Sequence, residues 1–142
     1  MKKSILLLAI GFATFNAYAQ KIKNTDVPAT VKSAFTKNYP AVKNVKWEKE
    51  NGKFEAGFYL NKVETSVLID PSGNITETET KIAVSALPKT VADYCVKNYV
   101  DRKITEASKI VDAKGVITYE AEINRTDLLF DADGKFIKES KD

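Results

Sequence analysis

Apolar residues recur along this chain at two spacings, and the change from one to the other happens twice. Val31, Ala34 and Phe35, closed by the polar Asn38, fall at i, i+3, i+4 and i+7. This is the stripe of an amphipathic helix. Val91, Tyr94, Cys95 and Asn98 repeat it. Pro28 and Pro88 suit first helical turns, and Pro40 stops the first helix near Tyr39. After each stripe the period drops to two, as in a half-buried strand. Val45 and Trp47 alternate with Lys46 and Glu48. Phe54, Ala56, Phe58 and Leu60 share one face, with Glu55, Gly57 and Tyr59 on the other. Val63, Thr65, Val67 and Ile69 follow, and a Thr-rich strand runs from Ile75 to Thr80. In the second half Ile117, Tyr119, Ala121 and Ile123 line one strand, Leu128 and Phe130 the next, and Phe136 opens the last. Turn signals separate these runs: Asn51-Gly52, Asn61-Lys62, Asp70 to Asn74, Lys114-Gly115, Asn124-Arg125 and Asp131 to Lys135.

The two halves correspond motif by motif. Val27-Pro28 matches Leu87-Pro88, and Asn38-Tyr39 matches Asn98-Tyr99. Phe54-Glu55-Ala56 matches Tyr119-Glu120-Ala121, and the Asp-x-x-Gly turns at Asp70 and Asp131 close the copies. Repetition at this length predicts one supersecondary unit built twice. The expected fold is α+β: two tandem repeats, about 25–82 and 85–140, each one helix packed on an antiparallel four-stranded sheet, with Ala83 to Ala86 as linker. A sheet that is apolar on one face needs a cover, and the helix of its own repeat is the natural one.

The start of the chain changes the picture of where it works. Lys2 and Lys3 precede an apolar run from Ile5 to Phe15, and Ala17-Tyr18-Ala19 is a small-x-small cleavage site before Gln20. This is the pattern of a signal peptide over residues 1–19, giving a mature domain at 20–142. The run is shorter than the about 20 apolar residues a membrane helix needs. No cysteine follows the cleavage point, so no lipid anchor is indicated. The expected compartment is periplasmic or secreted, with no membrane span after cleavage. Lys2 and Lys3 supply two of the three net positive charges, and the remaining charges are interspersed without the basic stripe of a nucleic-acid binder.

These residues carry a resemblance. A signal peptide, a tandem helix-plus-strands unit, Tyr119 to Ile123 (Y-E-A-E-I) and Phe130 to Lys135 (F-D-A-D-G-K) look like the periplasmic PepSY-like family, also described as β-lactamase-inhibitor-like. The resemblance covers nearly the whole mature chain, and copy one departs from it at Ile69 to Gly73. It implies a fold like that of the secreted β-lactamase inhibitor, in which a combined sheet offers a broad surface to a protein partner.

Candidate chemistry is sparse. The chain has no histidine, and its single cysteine, Cys95, occupies the helix position of Phe35, which predicts a core residue rather than a nucleophile. Asp131-Ala132-Asp133-Gly134 begins like a calcium loop but lacks the closing Glu, so a tight turn is expected. Glu120, Glu122 and Asp127 fall on a predicted solvent face. Asn74-Ile75-Thr76 and Asn124-Arg125-Thr126 match the glycosylation pattern by accident in a bacterial-looking chain. Catalytic, cofactor and metal residues are all predicted absent.

By alternation Tyr59, Leu68 and Leu129 point away from the helices, while Trp47 points toward them. The two leucines are equivalent in the repeats. They form a partner-binding face, pack between two sheets, or stand singly on the surface. The functional expectation is an exported, non-catalytic module presenting a sheet face to a protein partner, with inhibition of an envelope enzyme as one form of it. The alternatives are a binder of small molecules or envelope polysaccharide, and a structural envelope protein without a discrete ligand. The partner's identity and the oligomeric state stay open.

Overall fold

The structure, a computed structural model, describes residues 19–141; the predicted signal segment lies outside the described residues but for Ala19. Nine strands are described: β1 (Gln20–Ile22), β2 (Lys46–Glu50), β3 (Lys53–Leu60), β4 (Val63–Ile69), β5 (Ile75–Ile82), β6 (Glu106–Asp112), β7 (Ile117–Ile123), β8 (Thr126–Asp131) and β9 (Phe136–Lys141). Helix α1 (Ala29–Asn38) precedes β2, and α2 (Lys89–Asn98) precedes β6. Pro28 and Pro88 cap the helices from outside, one position before their first turns. A short 3-10 helix, Val84–Ala86, stands where a linker was expected.

The expectation of a separate four-stranded sheet in each half is corrected. All nine strands form one antiparallel sheet in chain order. The joint is β5–β6, paired from Glu77 opposite Asp112 to Ile82 opposite Ala107. Left apart, each half would expose a row of unpaired backbone donors and acceptors at this edge; joining removes both edges at once. β1 adds a strand beside Trp47 to Lys49. Asn51-Gly52, Asn61-Lys62 and Asn124-Arg125 all have positive φ at both turn residues, the backbone that matches strand twist in two-residue hairpins.

Both helices lie on the same face, over separate cores. Val27, Val31 and Phe35 pack with Trp47, Phe54, Ala56, Phe58, Val67 and Ile69. Leu87, Val91 and Cys95 pack with Ala107, Ala121, Ile123, Leu128 and Phe130. The aromatic mass is distributed differently in each. Phe35 meets Trp47 and Phe58 edge-on at 5.5 and 5.1 Å between ring centroids. In the second core Cys95 and Ala107 are small, and Tyr94 instead stacks on Phe136 at 4.7 Å beside Phe130. Volume removed near the end of the helix is restored nearer its middle, which keeps both interiors filled.

Candidate functional site: the open face of the sheet

With both helices on one side, the other face of the sheet is uncovered by any element among the described residues. Strand alternation decides what it carries. Its β2 and β3 positions are Lys46, Glu48 and Glu50, then Lys53, Glu55, Gly57 and Tyr59. β4 and β5 add Glu64, Ser66 and Leu68, then Glu77, Glu79 and Lys81. β6 and β7 add Glu106, Ser108 and Ile110, then Thr118, Glu120 and Glu122. β8 and β9 add Asp127 and Leu129, then Lys138 and Ser140. Carboxylates outnumber ammonium groups heavily. The helices and their flanking loops hold Lys23, Lys32, Lys37, Lys43, Lys89, Lys97, Arg102 and Lys103. The near-balanced net charge therefore hides two faces of opposite sign.

Like charges stand directly opposite one another. Glu48 is the register partner of Glu55, and Glu122 lies between Glu106 and Asp127. Such pairs oppose sheet formation. Partners relieve some of them: Lys81 pairs with Glu106, and Thr105 donates its hydroxyl to Glu122 at 3.0 Å. Burial, followed by the charges of Glu77, Glu48 and Glu79, raises the Glu50 carboxyl above the ordinary range. Burial also raises Glu55, against a hydrogen bond from Ser66 that opposes the rise, with Glu50, Glu79 and Glu48 adding to it.

Tyr59, Leu68 and Leu129 all fall on this face. Tyr59 is 68% exposed, while Leu68 and Leu129 are half-buried. They do not meet in one apolar patch. Leu68 on β4 sits between Glu55 and Glu77, and Leu129 on β8 between Glu120 and Lys138. Four strand steps of about 4.8 Å put the leucines at least about 19 Å apart, and the register offsets them further along the strands, since Leu68 aligns through Glu77 with Asp112 but Leu129 through Glu120 with Ser108. The alternation of glutamates in β2, β3 and β5 was the sequence signal for an acidic face. Its accumulation depends on register and was not anticipated.

Two recesses break the surface in the first half. An open groove of about 950 Å³ reaches round the end of β2 and takes in Trp47, Phe58, Val45, Lys46, Gly57, Tyr59 and Ser66. A small hollow of about 60 Å³ is lined by Glu50, Glu55, Ser66, Leu68, Glu77 and Glu79. Glu55, Ser66 and Glu79 border both.

The other candidates resolve into structure. Cys95 is 3% exposed, and burial raises its thiol pKa. Trp47 is buried on the helix side. The Asp131 carboxylate accepts from the backbone of Asp133 at 3.0 Å and of Lys135 at 2.8 Å, as a turn requires. No group of three or more His, Cys, Asp or Glu side chains that could hold a metal ion occurs among the described residues. No helix among them is long and apolar enough to cross a membrane.

Two helices on one side of a nine-stranded antiparallel sheet, with the other side open, define an α+β protein of the β-lactamase-inhibitor-like class. The profile of the family described as "Putative beta-lactamase-inhibitor-like, PepSY-like" matches residues 14–77 and 55–138, and the chain belongs to that family. Solved structures share the fold. A protein from Bacteroides eggerthii described as "putative periplasmic" is 16% identical, with 80% of this chain and 88% of that chain covered and a TM-score of 0.71. A DUF2874 family protein from Bacteroides uniformis is 21% identical over 80% and 88% of the two chains, with a TM-score of 0.65. A BLIP-like protein from Bacteroides fragilis is 21% identical over 80% and 84%, with a TM-score of 0.57. No curated protein matches the chain.

Proposed function

We propose that this protein is an exported, non-catalytic binding module that presents the open face of its sheet to a protein partner, in the periplasm or outside the cell. The observation that carries the reading is the one-sided placement of the helices. It leaves a face nine strands wide available. Interfaces draw much of their energy from a few aromatic or apolar anchors, and Tyr59, Leu68 and Leu129 are spread across this one. The signal pattern of residues 1–19 supports export, as does the description of the Bacteroides eggerthii relative. The inhibitor-like description of the family supports inhibition of an envelope enzyme as the form the binding takes. On this reading the chain is two copies of a helix-and-four-strand unit, at about 25–82 and 85–140, joined edge to edge.

Site-specific photocrosslinking in the source cell tests it. A photoreactive phenylalanine at Tyr59 samples the open face, and one at Val96, 75% exposed on α2, samples the helix side. The expected result is a discrete protein adduct from Tyr59 and none from Val96. No adduct at Tyr59, or the same adduct from both, contradicts the reading.

The groove beside β2 supports a second reading, a small-molecule or polysaccharide binder, because Trp47, Val45 and Phe58 meet polar groups there. Saturable quenching of the single Trp47 by envelope polysaccharide, with no protein adduct at Tyr59, is the result that reading requires.

A further inference from the structure

Adjacent strands run antiparallel in chain order, so β2, β4, β6 and β8 begin at one end of the sheet and β1, β3, β5, β7 and β9 finish there. The Asn61-Lys62 and Asn124-Arg125 hairpins lie at this end. Gly73 and Gly134 hold the first turns of α1 and α2 at the opposite end. The helices therefore finish at this one too, and segments 39–45 and 99–105 lead from them into β2 and β6. Positive charge gathers here. Lys37 and Lys97 lie in the last helical turns, Lys43, Arg102 and Lys103 in the two segments, and Lys62 and Arg125 on the hairpins, all exposed. Asp101 is the carboxylate among these tips. Glu64, Glu106, Glu122 and Asp127 stand just inside the strands but face the open side, with Lys46 and Lys81 on that side too and Lys81 paired to Glu106. Large apolar side chains are exposed at the same end: Val96 at 75%, Val100 at 69%, and Leu60 and Val63 on either side of Asn61-Lys62. Val116 and Ile137 are exposed at the other end, but in the turns there Asp70, Asp112, Asp131 and Asp133 outweigh Lys114 and Lys135.

We propose that this end of the molecule docks on the surface of an anionic phospholipid bilayer. The inference goes beyond the binding-module reading and takes from it only the export that brings the chain to such a surface. Cations near a bilayer are drawn to anionic headgroups, and apolar side chains beside them enter the boundary between headgroups and acyl chains. Both kinds of side chain are present here, and they alternate along the tips: Val96 beside Lys97, Val100 beside Arg102 and Lys103, Val63 beside Lys62. Long lysine and arginine stems let the charge stay at headgroup level while the valines go deeper. The apolar residues sit on separate tips and not in one packed patch. A protein partner would need a complementary knob or hollow for each, whereas a fluid lipid surface adapts to all of them. In this pose the strands rise from the membrane, and the open face of the sheet looks along it, clear of the lipid and accessible to a partner. The acidic turns point away from the anionic surface.

The experiment is co-sedimentation of the full mature chain with vesicles of equal parts phosphatidylglycerol and phosphatidylcholine. Vesicles of phosphatidylcholine alone are the control. Binding is expected to the first and not the second, and to weaken as salt is added. One surface cation is worth about fivefold in partition, so Lys97→Gln, Arg102→Gln and Lys103→Gln together should weaken binding about a hundredfold. Val96→Ser with Val100→Ser should also weaken it, while Lys114→Gln with Lys135→Gln at the other end should not. All these residues are exposed, and an unchanged Tm confirms that each variant is folded. A fluorophore on a cysteine placed at Val100 should move to an apolar environment on vesicle addition, and one at Val116 should not. Equal binding to both vesicles, full binding by the triple variant, or entry of the Val116 probe in place of the Val100 probe each overturns the proposal. So does binding to polyglutamate, lost in the triple variant, in a chain that ignores the vesicles, which would make an acidic protein the occupant. A Tyr59 adduct without vesicle binding would leave the module reading standing and remove the membrane dock. Vesicle binding without an adduct would do the reverse.

Discussion

Gly134 lies against Thr90, so close that a Cβ on the glycine would collide with the threonine Oγ1 and lie 3.0 Å from its Cβ. The same hydroxyl donates to Asp133 O at 3.0 Å. The last Asp-x-x-Gly turn is thus clamped to the first turn of α2. The first half has the counterpart: a Cβ on Gly73 would lie 3.1 Å from Thr30 Cγ2 and 3.4 Å from Ala34 Cβ. In each half the turn glycine sets how closely helix and sheet approach, as well as supplying a positive φ.

Gly52 separates those two roles. Its φ is +78°, the same as that of Gly134, but nothing lies within 4 Å of a Cβ there. Gly134→Ala should therefore destabilise more than Gly52→Ala, by about 1–3 kcal/mol of added overpacking. Urea unfolding of the two variants measures the difference. Equal costs would mean that φ alone demands glycine at Gly134.

Phe35→Ala should destabilise the protein by about 3–5 kcal/mol, because it empties the centre of an aromatic cluster with Trp47 and Phe58. Cys95→Ala, at the corresponding place in the second core, removes a single small group and should cost about 1 kcal/mol. Cys95 should also label with thiol reagents only as fast as the protein opens, since it is buried and its thiol is shifted up. Fast labelling under native conditions would contradict its placement.

The open face predicts a pH profile. Glu50 and Glu55 have raised folded-state pKa values, so the folded protein holds these protons more tightly than the unfolded chain. Stability should rise as pH falls from neutrality through those raised values toward their ordinary 4.5. Asp70 works in the other direction: hydrogen bonds from Asn74 lower it below 3.8, so its contribution holds above that pH and is lost as pH drops through the lowered value. Tm should peak on the acid side of neutrality, and Glu55→Gln should flatten the limb above the peak. A Tm that falls steadily from neutrality to pH 4.5 would contradict the crowding on this face.

The helices and hairpins were legible because short-range rules govern them. A helical stripe needs only Val31, Ala34 and Phe35 at the right spacing, and Asn51-Gly52 fixes its hairpin locally. The joint between halves was not legible, because β5 reads Ile-Thr-Glu-Thr-Glu-Thr-Lys-Ile and carries no apolar alternation to show that both its edges are paired. β1 is three residues long and shows no period at all. The parity of Tyr59, Leu68 and Leu129 could be read along single strands. The acidic face could not, since Glu55 and Glu79 become neighbours only through register across β4.

Combining Leu68→Asp with Leu129→Asp, and measuring both Tm and the crosslinking yield from Tyr59, tests whether the open face binds a protein. The leucines are half-buried and lie outside both helix-side cores. The expected result is a folded protein with a small drop in Tm and a large loss of adduct. A folded double variant with undiminished adduct, or one that no longer folds because these leucines belong to the core, would contradict it.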